Sequence, residues 1–183
     1  MKMLVDRAPG GSVLPVDLEA LKLFLRINGE DAEDATLTNM SRSAAAEIEQ
    51  FAQIALLNQT IRLTIVDPER ECLLALPIGP VAVAAVPSVT IDGDAFTGFD
   101  FIGGTRPLIR WQDCYFGLTP TLIQVEYQAG FGATHEDIPA DLTQALFDQA
   151  GLHFDCRAEA DPKNRTLSPH TARIAARYRG VTL

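Results

Sequence analysis

A change of period along the chain fixes its architecture. From Leu37 to Ala55 the apolar residues Leu37, Met40, Ala44, Ile48, Phe51 and Ala55 step by three and four, with Asn39, Arg42, Glu49 and Gln53 on the other side. Such spacing places every apolar side chain on one face of a helix. After Asn58 the step falls to two: Ile61, Leu63 and Ile65 alternate with Arg62 and Thr64, as in a strand with one wet face. The helical step returns after Pro139, where Leu142, Ala145, Leu146 and Ala150 share one side and Phe147 and Phe154 add a second. A helix apolar on two sides is buried in a bundle or in a contact between subunits.

These periods predict an α+β fold. The expectation is a bundle of three long helices over residues 16–28, 35–57 and 139–157, with a β-rich insertion over 60–132 between the second and third. Asp17 caps the first helix, whose Leu18, Leu21 and Leu25 recur at helical spacing, and Asn28-Gly29 ends it. Within the insertion, Gly and Pro punctuate short apolar runs at Pro77, Gly79-Pro80, Pro87, Asp92-Gly93, Gly103-Gly104 and Pro107, which reads as hairpins of short antiparallel strands. Residues 1–15, with Gly10, Gly11 and Pro15 and no periodic pattern, read as a flexible lead-in. Residues 158–183 read as a polar linker and a C-terminal helical arm: Ser168-Pro169 opens a short helix, Ile174 and Tyr178 share a face, and Gly180 closes it. The small residues Ala44 and Ala45 would let another helix approach closely.

Charge narrows the partners. The net charge is −9, yet Lys163, Arg165, Arg173, Arg177 and Arg179 fall in the last 21 residues without one acid, so residues 1–162 carry −14 (−9 less +5). An acidic body repels phosphates and does not wrap nucleic acid. From charge alone the basic end reads as a solvated, partly disordered C-terminus; as a contact it suits an acidic protein surface, since Arg173 and Arg177 lie four apart on one helical face and pair carboxylates. Its single aromatic, Tyr178, offers no stacking platform for bases. Cys72, Cys114 and Cys156 are odd in number and far apart, which suggests no disulfide framework and fits a reducing cytosol. The opening MKMLVDRAPGGSVLP lacks a long apolar core, and no run approaches the length that spans a bilayer.

Catalytic and metal chemistry is not legible. His153 and Cys156 stand three apart on a helix without a second ligand pair, and Asp92-x-Asp94 is more simply a hairpin turn at Asp92-Gly93. Gly98 and Gly103-Gly104 lack the Lys-Ser/Thr of a phosphate loop. Glu136-Asp137 fits charge at a helix N-terminus as well as an acid–base pair. No catalytic residue, metal or cofactor is expected. The alternative of another class, a small enzyme or ligand-binding domain, rests on Trp111, Tyr115 and Phe116 lining a pocket in the insertion.

The order of segments resembles one family. Leu18–Ile27 (LEALKLFLRI), with Asp31 and Asp34 after it, and Glu47–Thr60 (EIEQFAQIALLNQT) look like the first two helices of the phage head–tail connector (adaptor) family of the HK97 type. Leu76–Gly93 (LPIGPVAVAAVPSVTIDG) is similar to that family's Leu-Pro-x-Gly-Pro-Val segment. Val125–Gly132 (VEYQAGFG) with Ile138–Leu142, and the closing Ile174–Arg179 (IAARYR), complete the likeness. The polar spacer Ala158–Leu167 departs from it.

The resemblance implies a structural subunit of the neck of a virion or phage-like particle, an infectious phage, a prophage remnant or a gene transfer agent, made in the bacterial cytoplasm. It implies a dodecameric ring that meets the portal protein on one side and a stopper or tail-terminator protein on the other, and for the contacts between subunits of that ring Ala44, Ala45, Phe147 and Phe154 are the candidates. DNA passes through during packaging and ejection without specific binding, and no membrane is involved. Arg173, Ile174, Arg177, Tyr178 and Arg179 are the expected portal-binding residues. The chain being itself a stopper or tail terminator of such a particle is the alternative within the class.

Overall fold

The computed structural model describes residues 2–8, 13–27, 33–156 and 167–180. In chain order these form β1 (Lys2–Ala8), α1 (Leu18–Phe24), α2 (Asp34–Ala52), β2 (Gln59–Val66), β3 (Leu73–Ala75), β4 (Ser88–Ile91), β5 (Asp94–Ala95), β6 (Phe99–Ile102), β7 (Leu108–Trp111), α3 (Asp113–Phe116), β8 (Leu122–Ala129), α4 (Ala140–Asp155) and α5 (Pro169–Tyr178). A 3₁₀ turn covers His135–Asp137. Two compact units share the chain: Met1–Gly11 with Asn58–Gly130, and Ser12–Leu57 with Phe131–Leu183.

The first unit is built on strand alternation. Its larger sheet is antiparallel with the order β1-β2-β8-β4-β5. β2 and β8 pair along their whole length, Leu63 facing Val125. Ile61, Leu63, Ile65, Val89, Ile91, Ile123, Val125 and Tyr127 are all buried. Their neighbours Arg62 and Glu126 stand on the wet face, joined Nε to Oε2 at 2.7 Å. A one-residue slip would turn this whole set to water, so burial fixes the register. Asp92 (φ 52) and Gly93 (φ 97) form the two-residue turn between β4 and β5, the left-handed pair such hairpins need. A second antiparallel sheet has the order β3-β7-β6. Beside it, the Trp111 and Tyr115 rings stack at 4.5 Å and Phe96 packs on both.

The second unit is built on helical stripes. Leu21 of α1, Ala44 and Ile48 of α2, Leu142, Ala145 and Leu146 of α4, and Ile174 and Ala175 of α5 share one core. Asp17 caps α1 by accepting the Glu19 N–H at 3.0 Å. Lys22 is buried, held by Asp34 at 2.7 Å and Glu19 at 3.0 Å. Hydrogen bonds to Asp34 first, then Glu19, push its pKa up. Gly151 sits where a Cβ would press on Leu25 Cδ2 at 3.3 Å, so α1 and α4 approach closely there.

Three expectations are corrected. The fold is α+β, but not a bundle of three long helices: α1 has 7 residues, against 19 in α2 and 16 in α4. The strands make two antiparallel sheets with their own buried face, a unit in itself rather than an insertion decorating helices. Lys2–Ala8, read as a flexible lead-in, is strand β1, paired from Lys2↔Val66 to Ala8↔Thr60. An edge strand is ordered by the free edge of its neighbour, so its own sequence carries no strong periodic mark.

Candidate functional site

The expected portal-binding residues all lie on or beside α5, and the structure splits them. Ile174 is 4 % exposed within the helical core. Tyr178 is half-buried: its hydroxyl donates to Asp141 Oδ1 at 2.7 Å, and its ring meets Phe131 edge-on at 6.0 Å. Burial first, then the Asp141 hydrogen bond, pushes the Tyr178 pKa up to about 12. Arg173, Arg177 and Arg179 are exposed. Arg177 Nη1 lies 3.8 Å from Asp141 Oδ2, and the Arg179 guanidinium stands 5.6 Å from the centre of the Phe51 ring.

Further bonds seat α5. Ser168 N donates to Gln149 Oε1 at 2.9 Å, and Thr171 Oγ1 to the Ala145 carbonyl at 3.2 Å. His170 Nδ1 contacts Asp148 Oδ2. Gln149, fully buried, donates in turn to Glu47 of α2 at 2.7 Å. In this structure α5 therefore completes the chain's own helical unit. To fill a groove on a partner, Ile174 and Tyr178 would first have to leave these contacts. The Lys163 and Arg165 part of the expected arm lies outside the described residues.

The segments that carried the family resemblance are, in large part, those that hold the fold together. In the β unit, the Tyr127 hydroxyl accepts the Ile78 N–H at 3.3 Å and the Pro80 carbonyl accepts the Gly130 N–H at 2.9 Å. That ties Leu76–Val81 to the end of β8. Gly79 is required there, since a Cβ would run into the Thr105 carbonyl. In the helical unit, Phe131 and Asp141 both meet Tyr178, linking the Gly-Phe-Gly and Pro-Ala-Asp segments to the closing Tyr-Arg.

Ala44 and Ala45, expected between subunits, lie in the chain's own core, Ala44 fully enclosed and Ala45 at 9 % exposure. Phe147 and Phe154 are half-buried, and Phe147 lies against Phe24 with ring centres 5.6 Å apart.

The residues weighed for chemistry have structural duties. Asp92 accepts bonds from Thr121 Oγ1 at 2.6 Å and Leu122 N at 2.8 Å. These bonds, Thr121's first, hold its carboxyl below the usual range and pin the start of β8 to the turn. Asp137 and Thr134 close a capping box around the 3₁₀ turn, Thr134 N reaching Asp137 Oδ2 at 3.0 Å. His153 Nε2 faces Glu47 Oε2 at 3.3 Å. No group of three metal-ligating residues exists among the described residues. Trp111 and Tyr115 are buried against each other and Phe96, so they fill space rather than line a pocket.

The surface that sequence reading passed over is the loop Ala82–Val86. Val83 is 80 % and Val86 87 % exposed. The signal was present: six apolar residues in succession between Pro80 and Pro87, without a strand or helix to bury them.

No family model and no curated protein matches this chain. Solved structures do. A chain in the virion of a native gene transfer agent (GTA) particle is 28% identical with a TM-score of 0.76, over 100% of this chain and 97% of that one. The chain is similar, from end to end, to a neck protein of phage-like particles. At the same coverage it is 28% identical, TM-score 0.74, to a chain in the neck of an empty GTA particle computed with C6 symmetry. To one in the neck of a native GTA particle computed with C12 symmetry it is 25% identical, TM-score 0.70. The resemblance read from the segments, to a neck component of a phage-like particle, is thereby borne out. No helix among the described residues is long and apolar enough to cross a membrane.

Proposed function

We propose that this chain is a head–tail connector (adaptor) subunit that performs no catalysis. Twelve copies form a closed ring between the portal of a capsid and the tail or stopper protein, and DNA passes through the ring unbound. The observation that carries this reading is 28% identity across 100% of the chain to a protein of a GTA neck whose structure was computed with C6 symmetry. The C12 neck of the native particle supports the twelvefold count. The four-helix core favours an adaptor over a stopper or terminator, which tend to be mainly β. A net charge of −9 suits a passage that must not hold DNA. On the portal side the reading assigns the outward basic residues of α5, Arg173 and Arg177, with Arg179 next to them, to acidic groups of the portal. Ile174 stays in the core.

Negative-stain images of the full chain, alone and mixed with portal-bearing capsids, test this. Ring-shaped caps on the portal vertex are expected, and Arg173→Gln with Arg177→Gln, which remove the charges without setting a carboxylate beside Asp141, should remove them with little change in the melt. Capsids that bind no chain at the portal reject the adaptor reading. Binding only to capsids that already carry another neck protein would make it a stopper.

A further inference from the structure

A closed ring of identical subunits needs two different surfaces on each copy, facing opposite ways. The β unit presents such a pair at the two ends of one sheet. At one end β1 is an edge strand of 7 residues whose outer side meets no other strand among the described residues. It exposes Leu4 by 55 % and Val5 by 42 %, and it contains no proline. An edge of this kind is a ready template for another chain. Towards the other end, the loop Ala82–Val86 leads into β4, next to the two-residue β5 that closes the order, and exposes Val83 and Val86.

This loop is held rather than loose. Val81 and Gly104 exchange both backbone hydrogen bonds, at 2.9 and 2.7 Å, and the Ala85 N–H returns to the Ala82 carbonyl at 3.0 Å. Gly103 packs so close that a Cβ would sit 2.7 Å from Val83 Cα. A fixed, exposed apolar loop does not hide itself by folding back, and exposed patches of this type mark contacts with other molecules.

Charge selects a second copy as the occupant. Copies of net charge −9 repel each other wherever their carboxylates face. Leu76–Ile91, which contains the loop, has no charged residue at all. β1 carries two cations, Lys2 and Arg7, against one anion, Asp6. These opposite ends of one sheet thus approach each other without the penalty that the rest of the acidic surface imposes. Nucleic acid is a poor occupant for an uncharged loop, because its binding draws on cations.

We infer that neighbouring subunits of the ring meet through the β unit, the apolar loop Ala82–Val86 of one copy seating on the exposed edge of β1 in the next. This rests on the ring reading and adds the contact that closes it. The full chain with a benzophenone amino acid in place of Val86, mixed with portal-bearing capsids, tests it. Irradiation should give self-adducts that continue beyond dimers, and mass spectrometry should place the cross-link within Lys2–Ala8. Leu4→Asp, at an exposed position, should leave the melt unchanged and cut adduct yield by about tenfold, since it sets a carboxylate against an apolar contact. Adducts that stop at dimers, that map outside Lys2–Ala8, or that do not form would overturn the contact. Images of the same protein before irradiation separate the two claims. Rings without these adducts sink the contact alone, whereas failure to find any ring counts against the ring reading itself.

Discussion

The two units of this protein hide their apolar residues by different rules, and the rules set how much a local sequence reveals. In the helical unit, each buried stripe is written in one continuous stretch: Ala44, Ile48 and Ala52 on α2, and Leu142, Ala145, Leu146 and Ala150 on α4. In the β unit, a buried residue is defined by its pairing across the chain, as Leu63 is by Val125, 62 positions further on. Helical burial is local in sequence and strand burial is not. The comparison also explains the fate of α5. Its stripe, Thr171, Ile174 and Ala175, reads equally well as a face for a partner or for the chain's own core. Local periodicity marks a face as apolar but does not say what covers it.

Removing α5 is the strongest way to break this comparison. A chain truncated before Leu167 loses Ile174 and Ala175 from the core and leaves the Gln149 amide and the Ala145 region uncovered. It should lose the cooperative melt of its helices by far-ultraviolet circular dichroism. A truncated chain that melts like the full one would show that α5 is an appendage.

A matched pair of truncations at fully buried leucines comes next. Leu146→Ala in the helical unit and Leu63→Ala in the β unit both start at 0 % exposure. Each should cost about 2–5 kcal/mol in denaturant melts. Native-state hydrogen exchange should report each loss mainly within its own unit, and protection lost equally from both units by either change would remove the distinction. Phe51, half-buried under the Arg179 guanidinium, should cost less when changed to Ala than a ring wholly inside a core.

The smallest effect is a titration. Burial pushes Tyr127 in the β unit up to about 12, and burial with the Asp141 bond does the same for Tyr178 in the helical unit. A folded-state pKa above the unfolded value gives stability that is fully present below pH about 10 and fades as pH rises towards about 12. The wild type should therefore weaken across that window. Tyr178→Phe should flatten the part of the loss seen by helical probes, and Tyr127→Phe the part seen in the strands. Identical alkaline profiles for all three proteins would contradict the raised values.

Wherever one period runs long enough, the residues of a single stretch fix the kind of element that forms there. This holds for α2 and α4, the alternation of β2, and the Asp92-Gly93 turn, because each rests on spacing within a single stretch. The sequence by itself also carried, in Leu76–Gly93, Val125–Gly132 and Ile174–Arg179, the segments by which the likeness to a particle neck was read. How the elements cover one another is settled in the assembled fold. That fold drew Lys2–Ala8 onto β2 as an edge strand, seated α5 on α2 and α4, enclosed Ala44 and Ala45, and left Val83 and Val86 in water. The physical reason is common to all four. Burial depends on which distant segment arrives at a face, and neither composition nor periodicity within the face records that arrival.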